Sequence, residues 1–116
     1  GKDVPVNEAL NNLEAIIQSI ARDYPLTEIK LLSILPVNEG EEYKQTVYIR
    51  TNEKIQKWNQ AYQELASAYM QVEFVPVFDS LTDQAGQLKK DYTTDGLHLS
   101  VAGYQVLTKS LKDYLL

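Results

Sequence analysis

Cysteine is absent from the 116 residues. That excludes a disulfide framework and any thiolate metal site, and says little about the compartment. Histidine occurs once, at His98. Zinc typically takes three or four ligands with N or S donors, so one His among scattered carboxylates offers no metal site, and no cofactor is expected. No apolar run approaches the ~20 residues of a membrane-spanning helix. No charged-then-apolar leader is visible, and the cytoplasm is the favoured location. Basic runs are missing as well: 11 Lys and Arg stand against 16 Asp and Glu, for a net charge of −5 and a pI near 4.8. That balance argues against a nucleic-acid partner. There is no phosphate loop, no dinucleotide fingerprint and no internal repeat. What remains, with 44% hydrophobic residues, is the composition of one soluble globular domain or part of one.

The apolar residues that are present fall into readable patterns. Val6, Leu10, Leu13, Ile16, Ile17, Ile20 and Ala21 are spaced by threes and fours, which predicts an amphipathic helix over residues 6–23. Pro5 is tolerated in its first turn, and Pro25 pushes Tyr24 out of the helical region and ends it. The run from Ile29 to Leu35 is short and nearly all apolar, as a strand buried on both faces would be. Residues 36–46 are polar, contain Gly40 and read as a loop. A second helix is expected over 47–69, with Ile55, Trp58, Tyr62, Leu65, Ala66 and Tyr69 on its stripe. Asn59 lies on the same stripe, where a buried amide must find partners; a structural hydrogen bond to a neighbouring loop is the favoured reading.

Residues 72–78 give the second strand, with Pro76 marking an edge strand or a strand end. Residues 79–94 form a polar connection around Gly86, with room for a short helical turn. A last helix is expected over 101–115, its stripe formed by Val101, Tyr104, Leu107, Leu111, Tyr114 and Leu115, with Ser100 as N-cap. The order α-β-α-β-α implies parallel strands joined by helical crossovers. Two strands give three amphipathic helices too little sheet to cover. The chain is therefore expected to be the C-terminal portion of a larger doubly wound domain, with further strands before Gly1.

The chemistry concentrates in Asp95-Gly96-Leu97-His98-Leu99-Ser100-Val101-Ala102-Gly103-Tyr104. Imidazole has an unperturbed pKa of about 6.5, which suits a general base near neutral pH. A carboxylate that accepts the second ring N–H fixes the tautomer. Three residues of separation in a turn let the Asp95 carboxylate reach the His98 ring, and Gly96 supplies the freedom for the bend. The Asp-x-x-His pair alone is a weak signal, because an ordinary surface loop carries it equally well.

The longer string is specific. Asp-Gly-Leu-His-Leu-Ser, two residues, then Gly-Tyr, opening the last helix of an α/β chain, resembles the C-terminal block of the SGNH, or GDSL-type, hydrolases. The stretch from Trp58-Asn59-Gln60-Ala61-Tyr62 through Phe78-Asp79 is similar to the segment before that block, and the opening helix looks like the one after the family's Gly-x-Asn-Asp block. Within the family the likeness is to small acylhydrolases of the platelet-activating-factor acetylhydrolase kind. The resemblance implies that residues 1–116 are the C-terminal part of a single hydrolase domain, a flavodoxin-like three-layer α/β/α sandwich with a parallel sheet. It implies an ester hydrolase acting on small acyl or acetyl esters through a serine acyl-enzyme. His98 would be the general base, and Asp95 would orient and stabilise the imidazolium.

The family nucleophile sits in a Gly-Asp-Ser block, and none occurs here. Gly1-Lys2-Asp3 does not match Gly-x-Asn-Asp, since Lys2 stands where Asn is needed. The serine and the oxyanion donors are therefore expected upstream, and this stretch alone is expected to be inactive. Ser19, Ser33, Ser67, Ser80, Ser100 and Ser110 are the local serines. Ser80, after a strand and an Asp, is the best decoy, but it lacks the small preceding residue of a nucleophile elbow. Glu39, Glu41 and Glu42 form an acidic cluster, expected to be a solvated loop with substrate gating as the functional option. The alternative to an enzyme is a non-catalytic α/β module that associates, for example as a homo-oligomer, through an exposed sheet edge and its Tyr-bearing helices.

Overall fold

The computed structural model describes residues 6–115. Residues 1–5 and 116, and the side chains of Val6, Asn7 and Leu115, lie outside what is described, and with them the readings placed on Gly1 to Asp3 and Pro5. Helix α1 (Val6–Asp23) has the extent that the threes-and-fours spacing predicts. Ile17 is its buried anchor and Leu13 packs beside it, whereas Ile16, expected on the same stripe, is 57% exposed. The helix ends where Pro25 requires: the Tyr24 N–H reaches Ile20 O at 2.7 Å, and the chain turns through Thr27.

Strands β1 (Ile29–Leu32) and β2 (Val72–Val75) pair in parallel, Ile29 opposite Val72 and Leu32 opposite Val75. Ile29, Leu31, Val72 and Phe74 share one face of the pleat and meet Ile17, Leu13, Ala66, Leu65 and Tyr69, so α1 and the crossover helix both cover that face. The other face is mixed. Lys30 and Glu73 pair across the strands, while Val75 is fully buried.

Both strands are shorter than their apolar runs, and the reason is visible in the hydrogen bonds. The last ladder bond is Ser33 N–H to Val75 O at 3.0 Å. Beyond it, the Asn59 amide takes over: Ile34 N–H donates to Asn59 Oδ1 at 2.6 Å and Asn59 Nδ2 donates to Ile34 O at 3.1 Å. The Val77 N–H likewise turns to the Ser33 hydroxyl at 3.0 Å. The expected role of Asn59 as a structural bond to a neighbouring loop is what the structure contains.

The second helix starts later than its apolar pattern suggests. Residues 41–47 wind as a separate piece, a 3-10 turn Glu41–Tyr43 running into α2 (Lys44–Val47). Tyr48 breaks it with φ 56°. Helix α3 (Asn52–Ser67) begins only after Thr51, whose side chain accepts the Lys54 N–H at 3.2 Å as N-cap. Helix α4 (Val101–Leu115) matches the expected span and packs against 3-10 turns at Asp79–Leu81 and Lys90–Tyr92. Its apolar stripe splits: Leu107, Leu111 and Tyr114 are half-buried, whereas Val101 and Tyr104 are 75% and 59% exposed. Among the described residues no helix is long and apolar enough to cross a membrane.

Candidate active site

The site loop hangs from the turn that closes on the start of α4. Thr93 and Leu99 form an antiparallel bridge, and the Ser100 N–H bonds Tyr92 O at 2.8 Å, so residues 93–99 leave and return at one point. Inside that loop the Asp95 carboxylate does three things. Its Oδ1 accepts the backbone N–H groups of Leu97 at 2.9 Å and His98 at 2.7 Å, and its Oδ2 meets His98 Nδ1 at 2.6 Å. The bond to the His98 side chain, then those from the His98 and Leu97 backbones, hold the Asp95 carboxyl at about 2, below its ordinary 3.8. Asp95 is thus ionised at neutral pH and acts as an acceptor. In the neutral ring, an Nδ1–H directed at Asp95 Oδ2 would leave Nε2 with the lone pair. The His98 side chain is 71% exposed, and among the described residues no group bonds Nε2. The structure brings together the two residues that the sequence singled out.

The loop is held from outside by the segment after β1. Asn38 N–H donates to Gly96 O at 2.8 Å, and its side chain ties Leu88 O at 2.7 Å and the Gly40 N–H at 2.9 Å. Tyr43 lies directly beneath Gly96. A Cβ at Gly96 would sit 2.4 Å from Tyr43 Cβ, and the backbone there has φ +84°, so glycine is required twice over. Asn52 in turn fixes Val37 through both of its amide groups, at 2.8 and 2.7 Å.

The acidic cluster is less free than expected. Glu39 accepts bonds from the Asn52 backbone, the Asn52 side chain and Gln87 Nε2, at 3.2 to 3.4 Å, and Glu42 pairs with Lys90 at 3.3 Å. All three glutamates are exposed all the same, as a solvated loop requires, and Glu41 stands 4.0 Å from Lys44. The cluster straps the loop after β1 to the segment before the site. Such strapping was invisible in sequence because its partners lie far along the chain. Thr93 was missed too, although a Thr three residues before a Gly is a local turn signal.

None of the local serines hydrogen-bonds the His98 ring among the described residues. Ser33 is buried and bonded to Val77, Ser67 bonds Glu64 O, and Ser80 lies in the 3-10 turn after β2. Ser100 caps α4 as expected, accepting the Gly103 N–H at 3.2 Å while donating to Asp91 O. A groove of about 330 Å³ lies between α3 and the end of β2, lined by Ser33, Asn59, Phe74 and Phe78 among others, and includes no residue of the 93–99 loop.

The family model of the GDSL-like lipase/acylhydrolases matches residues 1–106. The chain belongs to this family. Solved structures repeat its architecture. A Streptococcus pneumonia protein provisionally named as a platelet activating factor is 90% identical over the whole chain, with a TM-score of 0.97. A provisionally named acylhydrolase from Bacteroides fragilis NCTC 9343 is 18% identical over 95% of the chain, with a TM-score of 0.76. A GDSL-like lipase from Bacteroides thetaiotaomicron VPI-5482 is 22% identical over 97%, with a TM-score of 0.72. The last two likenesses are of fold. The chain spans about half the length of each protein: 54%, 51% and 53%. None of the curated proteins compared with the chain matches it. The α/β architecture with a parallel sheet, expected from the alternation of elements, is the one these GDSL-family structures have.

Proposed function

We propose that residues 1–116 are the C-terminal part of a single GDSL-type hydrolase domain that, complete, hydrolyses small acyl or acetyl esters by Ser-His-Asp chemistry. The observation that carries this reading is the 2.6 Å bond between Asp95 Oδ2 and His98 Nδ1, with the far edge of the ring open to solvent. In the proposed reaction His98 Nε2 takes the proton of a serine hydroxyl as that oxygen attacks the ester carbonyl, then returns it to the leaving alkoxide. Asp95 stays ionised, holds the tautomer and faces the imidazolium as it forms. The nucleophile and the oxyanion donors lie upstream in this reading. Family membership supports hydrolysis.

The test is His98→Ala in the full-length natural protein, assayed with short acyl esters. Loss of a triad member is expected to lower kcat by about 10³-fold or more, with little change in the urea midpoint because the side chain is largely exposed. Wild-type turnover would refute the assignment. Residues 1–116 expressed alone are expected to show no esterase activity, and turnover abolished by Ser80→Ala would overturn the upstream placement of the nucleophile.

A further inference from the structure

We propose that Thr93 is a positioning residue for the base, holding the His98 backbone while Asp95 holds the His98 ring. The proposal rests on the reading of Asp95 and His98 as a catalytic pair. The two belong to one short loop, so the bond between them fixes the ring on the loop and not the path of the backbone that carries both. A second device must fix that path from within, and the Thr93 hydroxyl occupies that place. It accepts the Gly96 N–H at 2.9 Å and donates to His98 O at 2.6 Å. A hydroxyl has one proton to give and lone pairs to accept with, and here both capacities are used, on opposite sides of the same bend.

Thr93 and Gly96 are buried, at the foot of a loop whose His98 side chain is open to water. Thr93 is itself anchored by its bridge to Leu99. Replacing the hydroxyl by a methyl leaves the Gly96 N–H and the His98 carbonyl without their partner, and the buried N–H cannot simply turn to solvent. The bend then relaxes to find other partners, and the Cα of His98 moves with it. A misplacement of about 1 Å in a catalytic group costs on the order of 10²-fold in rate. Valine has nearly the shape of threonine, so its packing is kept and the hydroxyl alone is removed.

The experiment compares Thr93→Val and Thr93→Ser in the full-length natural protein. It uses kinetics on a short acyl ester and the proton NMR resonance of the His98 Nδ1–H shared with Asp95. Thr93→Val is expected to lower kcat roughly 10- to 100-fold, leave KM within about 2-fold and shift the Nδ1–H resonance. Thr93→Ser, which keeps the hydroxyl, is expected to restore both. A valine variant with wild-type kcat and an unmoved resonance overturns the proposal, as does a serine variant that loses as much as valine. Should the valine variant not fold, hydrogen exchange of the Gly96 amide in the wild-type protein decides: protection supports the bond, and exchange at the rate of an exposed turn overturns it. The resonance and exchange readouts judge Thr93 whatever the activity of His98→Ala, so a failure of the catalytic assignment shows separately.

Discussion

Replacing Gly96 by alanine would put a methyl carbon 2.4 Å from Tyr43 Cβ, 2.6 Å from Tyr43 Cγ and 3.0 Å from Asn38 O. Two costs combine. Holding a residue with a Cβ at φ +84° costs roughly 1–2 kcal/mol. Forcing a carbon into space already filled by Tyr43 costs a further 1–3 kcal/mol or so. The sum, about 2–5 kcal/mol, is a large part of the stability of an ordinary domain. Because the obstructing atoms are Cβ and Cγ of one side chain, the two costs can be separated. Tyr43→Gly removes both atoms, whereas Tyr43→Ala leaves the closer one in place. In a double-mutant cycle from urea denaturation, Gly96→Ala and Tyr43→Gly should couple by about 1–3 kcal/mol, with the double variant better than additive. Gly96→Ala with Tyr43→Ala should couple far less. A single Gly96→Ala cost below about 0.5 kcal/mol, within the range of ordinary surface changes, would refute the close approach. Equal coupling for the two Tyr43 variants would refute the role given to its Cβ.

Asn59→Leu should cost about 2–4 kcal/mol, because it strands the Ile34 N–H and C=O that the amide now satisfies; a urea midpoint unchanged at constant slope would show that Ile34 finds other partners. The Asp95 carboxyl sits at about 2 in the fold against an ordinary 3.8. Its folded value is depressed, so its contribution to stability is fully present above roughly pH 4 and is lost as pH falls through about 2. The stability gap between the wild type and Asp95→Asn should be flat above pH 4 to 5 and shrink between pH 4 and 2; a gap independent of pH would mean that the bonds to Leu97 and His98 do not favour the charged form.

The helices at the two ends were legible because their signals are local. Threes and fours in α1, a serine before α4 and Pro25 beyond α1 all act within a few residues. The first strand was overdrawn because what stops it is not local: Asn59, 25 residues away, removes Ile34 from the ladder, whereas the second ends at Val75, directly before the Pro76 that marked a strand end. The start of α3 was misplaced because Tyr48 carries the left-handed backbone that a reader expects of Gly or Asn. The inward turn of α4 was misassigned at Val101 and Tyr104 because periodicity reports an apolar stripe and not its neighbours. At the site, Asp95 and His98 were readable because they are three residues apart and share a turn. Asn38, Tyr43 and Glu39 were not, because the partners that tie them to this region lie 50 and 58 residues downstream for Asn38, 53 for Tyr43 and 48 for Glu39.

The bonds that shape residues 93–99 among themselves join residues two to six positions apart. Closing so short a span has a small entropic cost, and loops of about ten residues close within roughly 10–100 ns. The Asp95–His98 unit can therefore form on its own, early in folding and again after any local opening. Where it sits is set separately, by the Asn38 bond and the Tyr43 contact, which close far longer spans of chain. Local opening of residues 36–52 would then leave an intact Asp95–His98 pair in the wrong place. Shape and address are encoded at different ranges in this chain, and the placed pair forms only as fast as the slower of the two.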